Sequence, residues 1–135
     1  MGNVRPLNSK RYEISRNRFW ELYYRCLQYD EWKEELKHLT DTLKSIQVTD
    51  MPHGTGIGDP TKNLAIRRED LSRQCEIIEE TTKEADAEIW EYILKGVTDA
   101  SASYNYLRTV MNIPCGRNYY HTKRRKFYYL LSKKI

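Results

Sequence analysis

Apolar residues return every three or four positions along much of this 135-residue chain, the period of an amphipathic helix. Phe19, Leu22, Tyr23, Cys26 and Leu27 make the first stripe, with Ser15 placed as an N-cap. Trp32, Leu36, Leu39, Leu43 and Ile46 make a second, over 31–46, capped by Asp30. The segment 47–59 contains Pro52, Gly54, Gly56 and Gly58 and reads as a loop. Asp59-Pro60 then opens a long helix over 60–84, an acidic cap followed by a proline at the first helical position. Its seam, Leu64, Leu71, Cys75 and Ile78, is narrow and of heptad type. Two long helices with matching seams around a glycine loop predict an antiparallel hairpin. The same seam offers a homodimer contact to a second copy of the chain.

The pattern shortens after residue 85. Asp86 is placed to cap a helix over 87–95 with Ile89, Trp90, Ile93 and Leu94 apolar and Gly96 as its stop. A second helix, 102–111, turns Tyr104, Leu107, Val110 and Met111 inward. The chain breaks at Asn112-Ile113-Pro114-Cys115-Gly116, and a third helix begins at Arg117 with Tyr120, Phe127, Leu130 and Leu131 inward. No stretch alternates as a strand would. The expected fold is all-α: a long antiparallel helical hairpin followed by a C-terminal helix-turn-helix. The expected organisation is a basic arm (1–14), the hairpin with its glycine loop (15–84) and a helix-turn-helix region (85–135).

Composition removes several classes. Charged residues are 31% of the chain, and no apolar run approaches the ~18–20 residues of a membrane span. Eleven Tyr, three Trp and two Phe are too many aromatics for a disordered chain. Met1-Gly2-Asn3-Val4-Arg5-Pro6 has no apolar signal core, and Pro6 stands where myristoylation favours Ser or Thr. Cys26, Cys75 and Cys115 are odd in number and unpaired in spacing, which reads as reduced thiols and a cytoplasmic location.

The net charge of +4 conceals a strong asymmetry. Residues 1–18 carry five basic side chains against Glu13, and residues 19–100 carry ten against eighteen acids. Residues 101–135 carry eight, Arg108, Arg117, Lys123, Arg124, Arg125, Lys126, Lys133 and Lys134, against none. An acid-free basic segment points at a polyanion. Arg117, Asn118, His121, Thr122 and Arg125 are expected to read bases from the last helix, since Arg pairs bidentately with guanine and Asn with adenine. Lys123, Arg124, Lys126, Arg108 and Lys133 suit phosphates. Arg5, Lys10 and Arg11 suit an arm along a groove. His121, protonated near pH ~6.5 if unperturbed, predicts tighter binding as pH falls.

Other chemistry is weaker. The glycine loop lacks the lysine and hydroxyl of a P-loop, and no strand precedes it. Cys115 and His121 have no second pair, so no zinc or other cofactor is expected. His38 and His53, and the acids Glu34-Glu35 and Glu79-Glu80, read as solvated surface. No nucleophile–base pair stands out, so an enzyme is not expected.

Ile113-Pro114-Cys115-Gly116-Arg117, Arg124-Arg125-Lys126-Phe127-Tyr128 and Leu130-Leu131-Ser132-Lys133-Lys134 resemble the C-terminal part of small phage and prophage regulators of the RinA and ArpU type. Those proteins carry a helix-turn-helix like region four of sigma factors. The layout upstream is similar too: a Trp32-containing helix, a glycine loop, Asp59-Pro60-Thr61 and Ile66-Arg67-Arg68. The sequence departs in having Asn112 where the turn often has glycine, and in a longer stretch from Ile113 to the tyrosine pair. The resemblance implies a prophage-encoded activator of late or packaging genes, acting on double-stranded DNA with bacterial RNA polymerase, at the nucleoid of the host cytoplasm. A small-terminase-like packaging protein and an inhibitor that sets the basic helix against an acidic protein surface are the alternatives.

Overall fold

The computed structural model describes residues 12–49 and 60–135. The arm residues Arg5, Lys10 and Arg11 and most of the glycine loop, with His53 and Asp59, lie outside the described residues. Every described element is a helix: α1 (Arg16–Cys26), α2 (Tyr29–Thr49), α3 (Pro60–Ala85), α4 (Trp90–Thr98), α5 (Tyr104–Thr109) and α6 (Arg117–Lys134). None of them is long and apolar enough to cross a membrane.

The helix ends follow local hydrogen bonding. Ser15 accepts from the Arg18 N–H at 3.1 Å and starts α1. Leu27-Gln28 forms a turn, and α2 begins at Tyr29. Asp30 therefore lies inside its first turn instead of capping it, where a carboxylate still complements the helix dipole. The Asp86 carboxylate accepts from the N–H groups of Glu88 and Ile89, at 2.8 and 3.0 Å. That ties 87–89 into a turn and delays α4 to Trp90, three residues later than the pattern predicts.

Gly96 does not stop α4. The helix runs through it to Thr98. It ends at Asp99, whose carboxylate accepts from the Ser101 N–H (2.9 Å) and hydroxyl (2.7 Å) and pairs with Lys95 at 3.0 Å. These bonds hold the Asp99 carboxyl down to about 2. Gly96 instead makes room for α6, since a Cβ there would sit 1.9 Å from the hydroxyl oxygen of the buried Tyr120. Gly96→Ala is expected to lower stability by about 1–3 kcal/mol through overpacking, although alanine is the better helix former by about 1 kcal/mol. Urea denaturation checks the sign; a gain would show that Tyr120 moves aside freely.

The second short helix is also narrower than predicted. Ser103 caps it by accepting from the Tyr106 N–H at 3.3 Å. It stops at Thr109, and the chain reverses through Asn112 at φ 56°, the left-handed conformation that asparagine tolerates. Val110 is consequently 61% exposed, not inward.

The described residues up to Gln28 join Ile77–Ile135 in one compact unit, and Tyr29–Glu76 form another. This differs from the boundary at 84/85 suggested by the sequence, because α1 packs on α6 and α4. The first unit buries Phe19, Leu22 and Cys26 of α1, Ile93 and Val97 of α4, Leu107 of α5, and Tyr120, Phe127, Tyr128 and Leu131 of α6. Phe19 meets Tyr128 edge-on at 5.0 Å between ring centroids, a favoured aromatic geometry. In the second unit Leu39, Leu71 and Cys75 are buried, and Trp32, Leu36, Leu43, Ile46 and Leu64 are half-buried. Arg67 pairs with Glu35 at 2.9 Å and Arg68 donates to the Thr40 hydroxyl at 3.0 Å, joining α2 to α3.

Candidate nucleic-acid interface

The candidate interface is the surface of α6, and neighbouring elements fix its start. The Tyr104 hydroxyl donates to the Cys115 carbonyl at 2.6 Å, just before Gly116 caps the helix. Arg117 donates to the Asn105 side-chain oxygen at 2.8 Å, and its guanidinium lies 4.9 Å from the centre of the Tyr104 ring. Three contacts with α5 and its flank thus set the first turn of α6.

At about 100° per residue, the position of each side chain around α6 follows from Tyr120, which is buried. Phe127 and Leu131 fall within about 20° of it, and the inward Tyr128 lies about 80° away. Asn118, Thr122 and Arg125 fall about 140–160° from Tyr120 and face outward. Asn118 and Thr122 are exposed and Arg125 half-exposed. The Thr122 hydroxyl donates to the Asn118 carbonyl at 2.9 Å. Arg117 departs from the expected shared face: it lies about 60° from Tyr120, against α5. His121 is half-buried, its ring 5.1 Å from that of Tyr120.

His121 titrates below its ordinary 6.5, from burial first and then from the charges of Arg124, Arg117 and Arg125. The sequence-based expectation of protonation near 6.5 in the free protein is therefore corrected downward. Burial disfavours the charged imidazolium first, and three guanidinium groups on the same helix repel a further positive charge.

The remaining cations divide in two. Lys123 stands 3.9 Å from Asp86 and over the Tyr119 ring, and Lys134 pairs with Glu84 at 3.0 Å. The Tyr119 hydroxyl also donates to Asp86, which pushes the phenol up to about 12. Burial works to raise the Asp86 carboxyl, but Tyr119, the Ile89 and Glu88 N–H groups and Lys123 outweigh it and lower the net value. Arg117, Arg124, Arg125, Lys126 and Lys133 meet no carboxylate among the described residues. Arg124 stacks over Tyr128 at 5.1 Å and Lys133 over Tyr129 at 5.0 Å; Arg108 is exposed on α5.

The cluster of Asp86, Tyr119 and Lys123 was invisible in the sequence, because Asp86 lies more than thirty residues from the other two and reads locally as a helix cap. The run Phe127-Tyr128-Tyr129 reads from the sequence as core and helix edge, and Tyr128 is fully buried although it lies off the Tyr120–Phe127–Leu131 stripe. Packing of α6 against both α1 and α4 widens its buried arc to take in Tyr128. Among the described residues no three His, Cys, Asp or Glu side chains gather as a metal ion requires. Comparison of the chain with protein-family models, with curated proteins and with solved structures finds no match.

Proposed function

We propose that this protein is a sequence-specific DNA-binding regulator of transcription, of the phage or prophage type, that lays the first turns of α6 in the major groove. In this reading α5 and α6 act as the helix-turn-helix. Helices α2 and α3 form an antiparallel hairpin whose seam serves a homodimer. The promoter-bound protein works beside bacterial RNA polymerase, as an activator of late or packaging genes, and needs no cofactor.

One observation carries the reading. The acid-free segment 101–135 ends in a helix anchored by four buried side chains, and five of its cations have no carboxylate opposite them among the described residues. A solvated basic tail would need no such anchoring, whereas a groove-reading helix needs its cations held in place. Asn118 and Thr122, of base-reading type, share the outward face, with Arg125 at its edge.

The test begins with selection of a preferred duplex from a randomised pool. Asn118→Ala is expected to cost about 1–3 kcal/mol at the selected site and little on random duplex. Lys126→Ala is expected to weaken both by a similar factor and to lower the salt slope by about one. Selection that recovers no preferred duplex, or an Asn118→Ala variant that binds its site as wild type does, removes sequence-specific reading by α6. Retention of an acidic protein surface in place of DNA would then favour the inhibitor alternative.

A further inference from the structure

The two flanks of α6 are electrostatically unequal. On one side Lys126 and Lys133 lie about 120–140° from Tyr120, with Lys123 and Lys134 further in, at about 40–60°. The latter two face the end of α3 and the residue after it: Lys123 meets Asp86 and Lys134 meets Glu84. On the other side lie Arg124, Arg117, His121 and Arg125, at about 40–140°. There α5 presents Tyr104 and Asn105, both neutral and both engaged with Arg117. From α1, Arg25 adds its positive charge beside that of Arg124, and the two act together on Cys26. The charges acting on His121 come from Arg124, Arg117 and Arg125, with no carboxylate among them.

The arginine flank is held by contacts that involve no carboxylate. Arg117 is fixed by a hydrogen bond and a ring contact, and Arg124 by stacking on Tyr128. Guanidinium groups held in this way present paired N–H donors that match two oxygens of a phosphate. A side chain already ordered loses less freedom when it binds.

We infer that a phosphodiester backbone lies along Arg117, His121, Arg124 and Arg125, with His121 taking up a proton as it docks, while Lys123 and Lys134 are withheld from the polyanion as fastenings of α6 to Asp86 and Glu84. This rests on the DNA-binding reading above and gives the acid-paired lysines different work from the arginines. The direction of the proton follows from charge. In the free protein burial and three arginines disfavour the imidazolium. A phosphate beside them supplies the opposite charge and raises the His121 pKa. Affinity then rises as pH falls through the bound-state pKa, and the gain is complete below the free-state pKa.

The full chain and a random duplex test this by fluorescence anisotropy over a salt series at pH 8 and pH 5, with circular dichroism as a check of folding. Wild type is expected to bind more tightly at pH 5, by up to about tenfold for each unit by which docking raises His121. His121→Gln should flatten that difference, and the His121 ring resonances should titrate at higher pH with duplex than without. Arg125→Ala should lower the salt slope by about one, whereas Lys123→Ala and Lys123→Gln should leave it unchanged. A slope lowered equally by Lys123→Gln, or a pH dependence that survives His121→Gln, overturns the assignment while leaving DNA binding intact. If wild type binds no duplex at any salt or pH, the DNA-binding reading falls and this one with it.

Discussion

Phe127→Ala is expected to destabilise the unit that carries α6 by about 3–5 kcal/mol, a large part of the 5–15 kcal/mol typical of a whole domain. Phe127 is fully buried and lies within about 20° of Tyr120 around the helix, on the face that α6 turns inward. Its ring meets that of Tyr128 edge-on at 5.1 Å, and Tyr128 in turn meets Phe19 of α1. Alanine removes the transfer energy of the ring and leaves a cavity among side chains already in contact on both sides. Urea midpoints measure the loss, with Arg125→Ala as a surface control that should shift by no more than about 0.5 kcal/mol. A loss under 1 kcal/mol for Phe127→Ala would place the ring at the edge of the core. Because the same packing aims the basic face, duplex binding should fall in step with the folded fraction.

The second large effect belongs to the other unit. Leu71 is fully buried and Leu39 is 7% exposed, so each alanine variant is expected to cost about 2–5 kcal/mol, with Leu39→Ala nearer the lower figure because it is not fully enclosed. Thermal and urea melts of the full chain measure both. Near-neutral results would mean that neither residue contributes to a core. Both residues belong to the unit that does not contain α6, so duplex binding by the folded protein should be unchanged at protein concentrations that saturate any dimer.

Periodicity alone was enough to find the helices, since amphipathic stripes are local facts. The Ser15 cap, Pro60 at the start of α3 and the left-handed Asn112 are equally local, and they could be read or anticipated from neighbouring residues. What escaped was decided at a distance. Gly96 reads as a stop when only its neighbours are considered, but its lack of a side chain serves Tyr120, twenty-four residues further on. Val110 fits the apolar stripe of α5 yet lies beyond the helix end, where the chain has already turned. Arg117 shares a sequence neighbourhood with Asn118 but not a direction, because Asn105 and Tyr104 claim it. The acid-free composition of 101–135 identified the candidate surface; only the positions of Asp86 and Glu84 divide its cations into paired and unpaired sets.

The joining of α1 to α6 has a consequence for the birth of the protein. About 90 residues separate Cys26 from Arg117. At a synthesis rate of ~5–20 residues per second, α1 leaves the ribosome roughly 5–18 s before its main partner begins to appear. For that interval Phe19, Leu22 and Cys26 have no α6 to cover them, and the loop that must close is long, which slows the encounter more than it weakens the product. A ribosome stalled before Phe127 would therefore display α1 as a sticky nascent segment, susceptible to chaperones and proteases, and protection of α1 should arrive only with the last turns of α6.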